Sequence, residues 1–466
     1  MNNPTTDLLA ELRSTVAPDR VVTEGPEYET GRQLFLAPTR ARPAVIVRCT
    51  STADVQAAVR AARRHGIGLV VRSGGHDLFG RSVRDGALVV DLGRMRSIDI
   101  NDETRVAEVG AGALSADLVT AAEQHDLTAV TGTAGTVGIA GLTIGGGYGP
   151  LIGRFGLAAD NLLGAEVVLA DGTVVDTDAE PDLLWALRGG GGNFGVVTSL
   201  RVRLHPVPSV LAGNILFPLS EAETVLRRLD GVLRTSPDEL EVDTAFLVGP
   251  DGNAVLALMP TWSGDLAAGA RPGSPVNSLR ELGTPLVGDI ATAPRSRLLA
   301  GVDQMFPFSE RSGIFRTRTV SGFTPGVIQA LVRAAETITS PHSALMAHQF
   351  HGAATRTPLA STAFGLRSPH LMVEIIGMWE TDDARADDHI AWTAATSTAL
   401  RPHSLPGGYV NLLGPDDRDQ AEDAYGANTA RLLSVKSRFD PQHAFEATPL
   451  PSAAAADRRG TSGHRT

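Results

Sequence analysis

Residues 132–149, GTAGTVGIAGLTIGGGYG, hold eight glycines in eighteen positions, and no other stretch constrains the fold as strongly. An interior glycine costs a helix or strand roughly 1 kcal/mol relative to alanine, so no packed regular element is expected there. A flexible linker fits poorly as well, because Val137, Ile139, Leu142 and Ile144 call for burial. What fits is a backbone passing close to something flat or charged, with no Cβ in the way. Two more loops share this character. Arg72-Ser73-Gly74-Gly75-His76-Asp77 ends the apolar run GLVVRS (68–73), and Gly189–Gly192 with Asn193 follows the helical pattern DLLWALRG. A strand ending in two glycines can aim backbone N–H groups at an anion such as a pyrophosphate, with His76 projecting from the loop tip. No Gly-Lys-Ser/Thr is present, and no GxGxxG stands at a strand-to-helix turn with an acidic residue roughly 20 positions on. Walker and Rossmann sites are therefore unsupported.

Residues 7–16 read as a short helix capped by Asp7. From about Pro43, strands and helices alternate. VIVRCT (45–50) reads as a strand, Ser51 to His65 as a helix closed by Gly66, and ALVVDL (87–92) and VAEVGAG (106–112) as strands. Leu114–His125 reads as helix, 165–177 as a hairpin around Asp171-Gly172, and 194–207 as a long strand. Near Pro206-Val207-Pro208 the Gly loops thin out, and a domain boundary is placed there. Beyond it, 343–353 and 370–380 read as strands, Asp388–Leu400 as a helix, 409–413 as a strand and 418–438 as a helix. Residues 451–466, small and polar, have the composition of a disordered tail.

Charge narrows the partners. The formal net charge is −11, and nucleic acid and anionic membranes both demand basic surface, so neither is expected. Cys49 is the only cysteine, which excludes an intrachain disulfide and a Cys-based metal site. No His/Asp/Glu set has metal-ligand spacing, so no metal is expected. The first twenty residues lack a basic segment followed by an apolar run, and no stretch reaches the roughly 18 apolar residues of a membrane span. A cytoplasmic location is expected. Forty of the 41 basic residues are Arg, Lys436 being the only lysine.

Five motifs in order carry a resemblance: RSGGHD, GIAGLTIGGGYGPLIGRFGLAADNLLGAEVVLADGTVV, PDLLWALRGGGGNFGVVTSLRVRLHPV, YVNLLGPDD and AYGANTARLLSVKSRFDPQHAF. Together, over about residues 40–446, they resemble berberine-bridge-enzyme-like FAD-linked oxidases of the vanillyl-alcohol-oxidase superfamily. The resemblance implies an α+β, two-domain fold with a PCMH-type FAD-binding domain and a substrate domain built on an antiparallel sheet backed by helices. The FAD domain would span 1–207 (core about 40–207) and be completed by 404–450, with the substrate domain at 208–403. His76 matches the histidine that binds the flavin 8α-methyl covalently. Ala134 stands where some members carry a second, cysteinyl link, so the single-histidyl subgroup is implied. Leu142 replaces a histidine that some members place beside the flavin. Arg72, Ser73, Gly74, Gly75, Asp77, Thr133, Gly138, Gly141, Leu142, Val197, Tyr409 and Asn411 are the further cofactor contacts so implied.

The reaction implied is oxidation of a small organic substrate, of the kind found in secondary metabolism, by hydride transfer to covalent FAD. O2 would take the electrons to give H2O2, in a monomer or homodimer. A base must take the substrate's O–H or N–H proton. The terminal Tyr-x-Asn-Tyr motif of relatives ends in Leu412 here, so one common phenol is missing. Tyr409, Glu374 and His351 are the remaining catalytic candidates. Gln349, His351 and Glu374 are the substrate-facing ones, with Gln349 and His351 on one strand face and His348 and Phe350 on the other. Met346, Met378 and Trp379 read as core, and His342, His389, His403 and His443 as surface or loop histidines. Two other readings stay open: an oxygenase of a biosynthetic intermediate, and a non-redox cyclase or drug-binding resistance protein that uses FAD as a scaffold.

Overall fold

The structure, a computed structural model, describes residues 4–452. Of the tail expected to be disordered, 453–466 lie outside the described residues. The chain is mixed α+β and builds three sheets. In the first, Val45–Arg48 and Leu69–Arg72 flank Leu88–Asp91 in parallel, with Val21–Val22 antiparallel on the outside. Their unbroken apolar runs suit strands covered on both faces. Helix Thr52–His65 covers one face. Ser51 caps it by accepting from Asp54 N at 3.3 Å, and Gly66 ends it at φ 65°.

The second sheet is antiparallel around the long strand Val196–His205, which pairs with Val106–Gly110, Leu162–Val168 and Thr128–Ala129. The chain leaves it after His205 and enters the third sheet at Val210. This is a seven-stranded antiparallel sheet in the order Val287–Ala293, Val210–Pro218, Ala254–Trp262, Leu240–Val248, Ala344–Phe350, His370–Glu380, Arg311–Val320. One face packs on the helices Ala222–Leu233, Pro325–Glu336 and Ala386–Leu400 through Leu345, Ala347, Leu371, Val373 and Ile375. The alternate residues of those strands face the first part of the chain. The C-terminal segment returns to the first core with Val410, Leu413, Tyr425, Leu432 and Phe439. Lys436 is buried in that return. Its Nζ donates to the carbonyls of Asn193 and Phe445 at 2.7 Å each and pairs with Asp440 at 2.5 Å. Among the described residues no helix is long and apolar enough to cross a membrane.

Several local expectations are corrected. Inside the glycine-dense stretch, Ile139–Gly145 is a short helix, because burial of Ile139, Ala140 and Ile144 outweighs the cost of its glycines. Residues 409–413 are not a strand: Val410–Leu412 is a single 3-10 turn in which Leu412 N reaches Tyr409 O. The helix read over 418–438 breaks into Arg418–Ala421 and Thr429–Phe439. Gly426 sits between them at φ 52°, and the Asn428 amide bonds the carbonyls of Leu359 and Thr362. The first helix starts at Pro4, which places Asp7 in its first turn and not at its cap. His389 is fully buried between Thr339 and Asp383.

Candidate functional site

The glycine loops meet backbone to backbone. A Cβ on Gly74 would overlap the main-chain nitrogen of Gly138, and a Cβ on Gly138 would overlap that of Gly74. Only glycine at both positions allows this approach. Beside it opens a cavity. Its walls include Val70, Val71, Gly192 and Phe445–Thr448, then Ser73–Asp77 and Gly132–Ala134, and finally Tyr409, Asn411 and the large sheet. Asp77 shapes its own loop, accepting from Phe79 N at 3.0 Å and Ser82 N at 2.6 Å. Asn411 ties the terminal turn to the glycine helix through Gly141 O at 3.1 Å.

The sheet supplies one wall through Met346, His348, Met372, Glu374 and Ile376. Met346 stands directly opposite Glu374, and His348 opposite Met372, so all four side chains share a face. His348 lies between two carboxylates: Nδ1 is 2.9 Å from Asp243 and Nε2 is 3.4 Å from Glu374. Burial opposes charge on this imidazole, but Asp243 and Glu374 outweigh it and hold His348 well above the ordinary histidine range. Arg295, 1% exposed, adds a positive charge near Asp243 and Glu123. Buried charges of both signs thus offset one another here.

Tyr409 is buried. Its hydroxyl oxygen accepts from Gly147 N at 3.1 Å and Asn411 Nδ2 at 3.0 Å. Burial pushes its pKa up to about 12, which makes its phenolate a costly species at neutral pH. Tyr148 packs on it with ring centroids 4.8 Å apart and bonds His370 at 2.8 Å. The His370 Nδ1 sits 2.7 Å from the Ser368 carbonyl and donates to it, so Nε2 accepts from Tyr148. Burial pulls the His370 pKa down to about 4.

The cavity brings together Ser73, Gly74, Gly75, His76, Asp77, Thr133, Gly138, Gly141, Leu142, Val197, Glu374, Tyr409 and Asn411. Three expected residues stand outside it. Arg72 turns away to Asp91, at 3.3 Å, and to the Gln33 carbonyl. Gln349 bonds Ser236 at 3.2 Å. His351 lies past the end of its strand, 3.1 Å from Glu241. His348, Met346 and Arg81 were not foreseen as lining residues. Period-two alternation separates His348 from Gln349 but does not say which face is the cavity; only the register Met346↔Glu374 does that.

A cavity lined by the backbone of the glycine loops and by the apolar side chains Met346, Met372 and Ile376 suits the FAD that the sequence motifs imply. The Gly74–Gly138 contact and the open space beside Gly141 form a cradle that larger residues would fill. His76 is half-buried at this cavity, stacked on Phe35 with ring centroids 4.5 Å apart. Ala134 and Leu142 line it as well.

Comparison with known proteins agrees. Residues 43–178 match an FAD binding domain family, and residues 408–449 match the family described as berberine and berberine like. The chain is 33% identical to the FAD-linked oxidoreductase aurO of Gibberella zeae, over 94% of this chain and 86% of that one. It is 31% identical to (R)-6-hydroxynicotine oxidase of Paenarthrobacter nicotinovorans, over 87% and 90%. Its fold superposes on the crystal structure of 6-hydroxy-D-nicotine oxidase from Arthrobacter nicotinovorans with TM-score 0.84 and 27% identity, covering 93% of this chain and 97% of that one. Physcomitrella patens BBE-like 1 gives 0.82 and 26%, covering 95% and 99%.

Proposed function

Since this chain belongs to the berberine-like FAD-linked oxidoreductases, we propose that it is an oxidase of a small, largely apolar organic molecule, with Glu374 as the base. When bound, FAD would supply the hydride acceptor, with O2 as the final electron acceptor giving H2O2. Ser73–Gly75, Thr133, Gly138, Gly141 and Asn411 would hold the cofactor, and His76 would attach it through a single bond. Ala134 and the buried Cys49 leave no second attachment residue.

The observation that carries the base assignment is the position of Glu374. Three carboxylates line the cavity. Asp77 is spent on its own loop, and Glu446 faces Arg84 at 3.6 Å. Glu374 stands on the sheet wall among Met346, Met372 and Ile376. There it can accept a hydroxyl, phenol or amine proton while the apolar neighbours exclude water. His348 holds the Glu374 carboxylate from the neighbouring strand of the same wall, and Asp243 holds His348. Gln349 and His351 turn away from this wall, and the raised pKa of Tyr409 argues against a phenolate base. The substrate would belong to secondary metabolism.

Anaerobic mixing with candidate alcohols, phenols and cyclic amines tests the reading. A substrate should bleach the flavin without O2 and give stoichiometric H2O2 with it. Turnover with a flavin that never bleaches, or labelled oxygen appearing in the product, would contradict it.

A further inference from the structure

His76 ends a hydrogen-bond chain that crosses from the glycine loops to the helix Arg295–Met305. Its Nε2 lies 2.8 Å from Thr136 Oγ1, and Thr136 Oγ1 lies 3.0 Å from Asp303 Oδ1. The same Asp303 oxygen accepts the backbone N–H groups of Gly135 at 3.0 Å and Thr136 at 3.2 Å. A carboxylate collecting two backbone N–H groups and a hydroxyl is the acceptor in every bond, and a hydroxyl has one hydrogen to give. Thr136 therefore donates to Asp303 and accepts from His76. That fixes the tautomer: the imidazole carries its hydrogen on Nε2 and a lone pair on Nδ1. Among the described residues Nδ1 has no hydrogen-bond partner. Burial pulls the His76 pKa down to about 3, so the ring is neutral and its lone pair is free at neutral pH. Phe35, stacked at 4.5 Å, and Phe308, tilted at 5.5 Å, hold the ring in this orientation.

We propose that Asp303, acting through Thr136, is the positioning residue for flavin attachment: it presents Nδ1 of His76 to the flavin methyl carbon and draws off the Nε2 proton as the bond forms. The inference rests on the single-histidyl attachment proposed above. In this step a new Nδ1–C bond replaces one methyl C–H bond. The imidazole N–H and the methyl C–H each release a proton. The electron pair of the broken C–H bond passes through the flavin to O2, which with the two protons becomes H2O2. No other oxidant is needed. The arrangement also explains why a residue outside the glycine loops should matter to them: Asp303 sits on a helix that brings Val302, and Phe306 just past its end, to the same cavity.

The test is a time course of acid-stable flavin on protein expressed under riboflavin limitation and then given FAD. Wild type, Thr136→Ser, Thr136→Val and Asp303→Asn are compared, and NMR of the wild-type flavopeptide assigns the bonded nitrogen. Thr136→Ser keeps the hydroxyl and should attach FAD near the wild-type rate. Thr136→Val and Asp303→Asn should hold FAD without the bond and attach it about 10²-fold more slowly, the low end of what a positioned base contributes. Attachment at the wild-type rate by both would overturn the proposal, since a merely structural contact would not slow this step alone. A wild-type bond through Nε2 would overturn it whatever the variants do, including variants that fail to fold. Wild-type protein with no acid-stable flavin would refute the attachment itself, and is thereby told apart from failure of the Asp303 relay.

Discussion

His348 faces Glu374 diagonally across two neighbouring strands, Nε2 to Oε1 at 3.4 Å, on the cavity side of the large sheet. Two buried carboxylates of this protein pair instead with arginine, Asp54 with Arg20 at 2.8 Å and Asp91 with Arg72 at 3.3 Å. Arginine stays charged at any working pH, whereas histidine can change its charge. The carboxylate proposed as the base is thus set beside a partner whose charge is not fixed.

Glu374→Gln should slow anaerobic flavin reduction by about 10²–10⁴-fold while the flavin spectrum stays native. Tyr409→Phe should slow it far less. Stopped-flow reduction under argon distinguishes the two residues; equal losses would reassign the base.

His348→Gln should destabilise the protein, because Asp243 loses its partner. Breaking a buried ion pair from one side typically costs about 3–5 kcal/mol. Urea unfolding at pH 6.5 should show a lower midpoint with an unchanged slope.

The pH dependence of stability has a definite sign. The folded pKa of His348 lies above its ordinary value of 6.5, so its contribution is complete below about pH 6.5 and fades as pH climbs through the higher folded value. His370 acts the other way. Its folded pKa is about 4, so the unfolded chain takes up a proton first, and stability is lost as pH falls from 6.5 toward 4. Urea midpoints from pH 4 to 9 should decline on both sides. His348→Gln should flatten the alkaline limb and His370→Gln the acid one.

Gly74→Ala should abolish FAD retention, since the new methyl would overlap the Gly138 backbone, and should cost roughly 1–3 kcal/mol of stability. A Cβ at Gly141 meets no atom within 4 Å but borders the cavity. Gly141→Ala should therefore unfold at the wild-type urea concentration yet bind FAD more weakly. Flavin absorbance after desalting, beside the unfolding curves, checks both.

The glycine loops were legible in the sequence because no packing of side chains explains such density, and the three loops do meet at one cavity. The sheet wall was harder. Alternation placed Glu374 with Ile376 and separated His348 from Gln349, but a strand read alone has two equivalent faces. The partner strand and the register decide between them, and those contacts are far apart in sequence. The turn at 409–413 was misread for a related reason: Tyr409 and Asn411 bond to Gly147 and Gly141, more than 250 residues upstream, and nothing local announces it. Asp303 gave no signal at all, since its partners Gly135 and Thr136 lie some 170 positions away.

The enclosure of Lys436 has a practical side. With its Nζ occupied by two carbonyls and Asp440, the chain's only lysine is out of reach of bulk reagents, and every other basic side chain is an arginine. Succinimide dyes, amine-directed cross-linkers and glutaraldehyde coupling will find no lysine to modify on the folded surface. Immobilising or labelling the enzyme through a side chain calls for something other than lysine, such as an introduced cysteine, guanidine chemistry or carboxylate activation. Conversely, acylation of Lys436 becomes a reporter of local opening beside residues 445–448, which line the cavity.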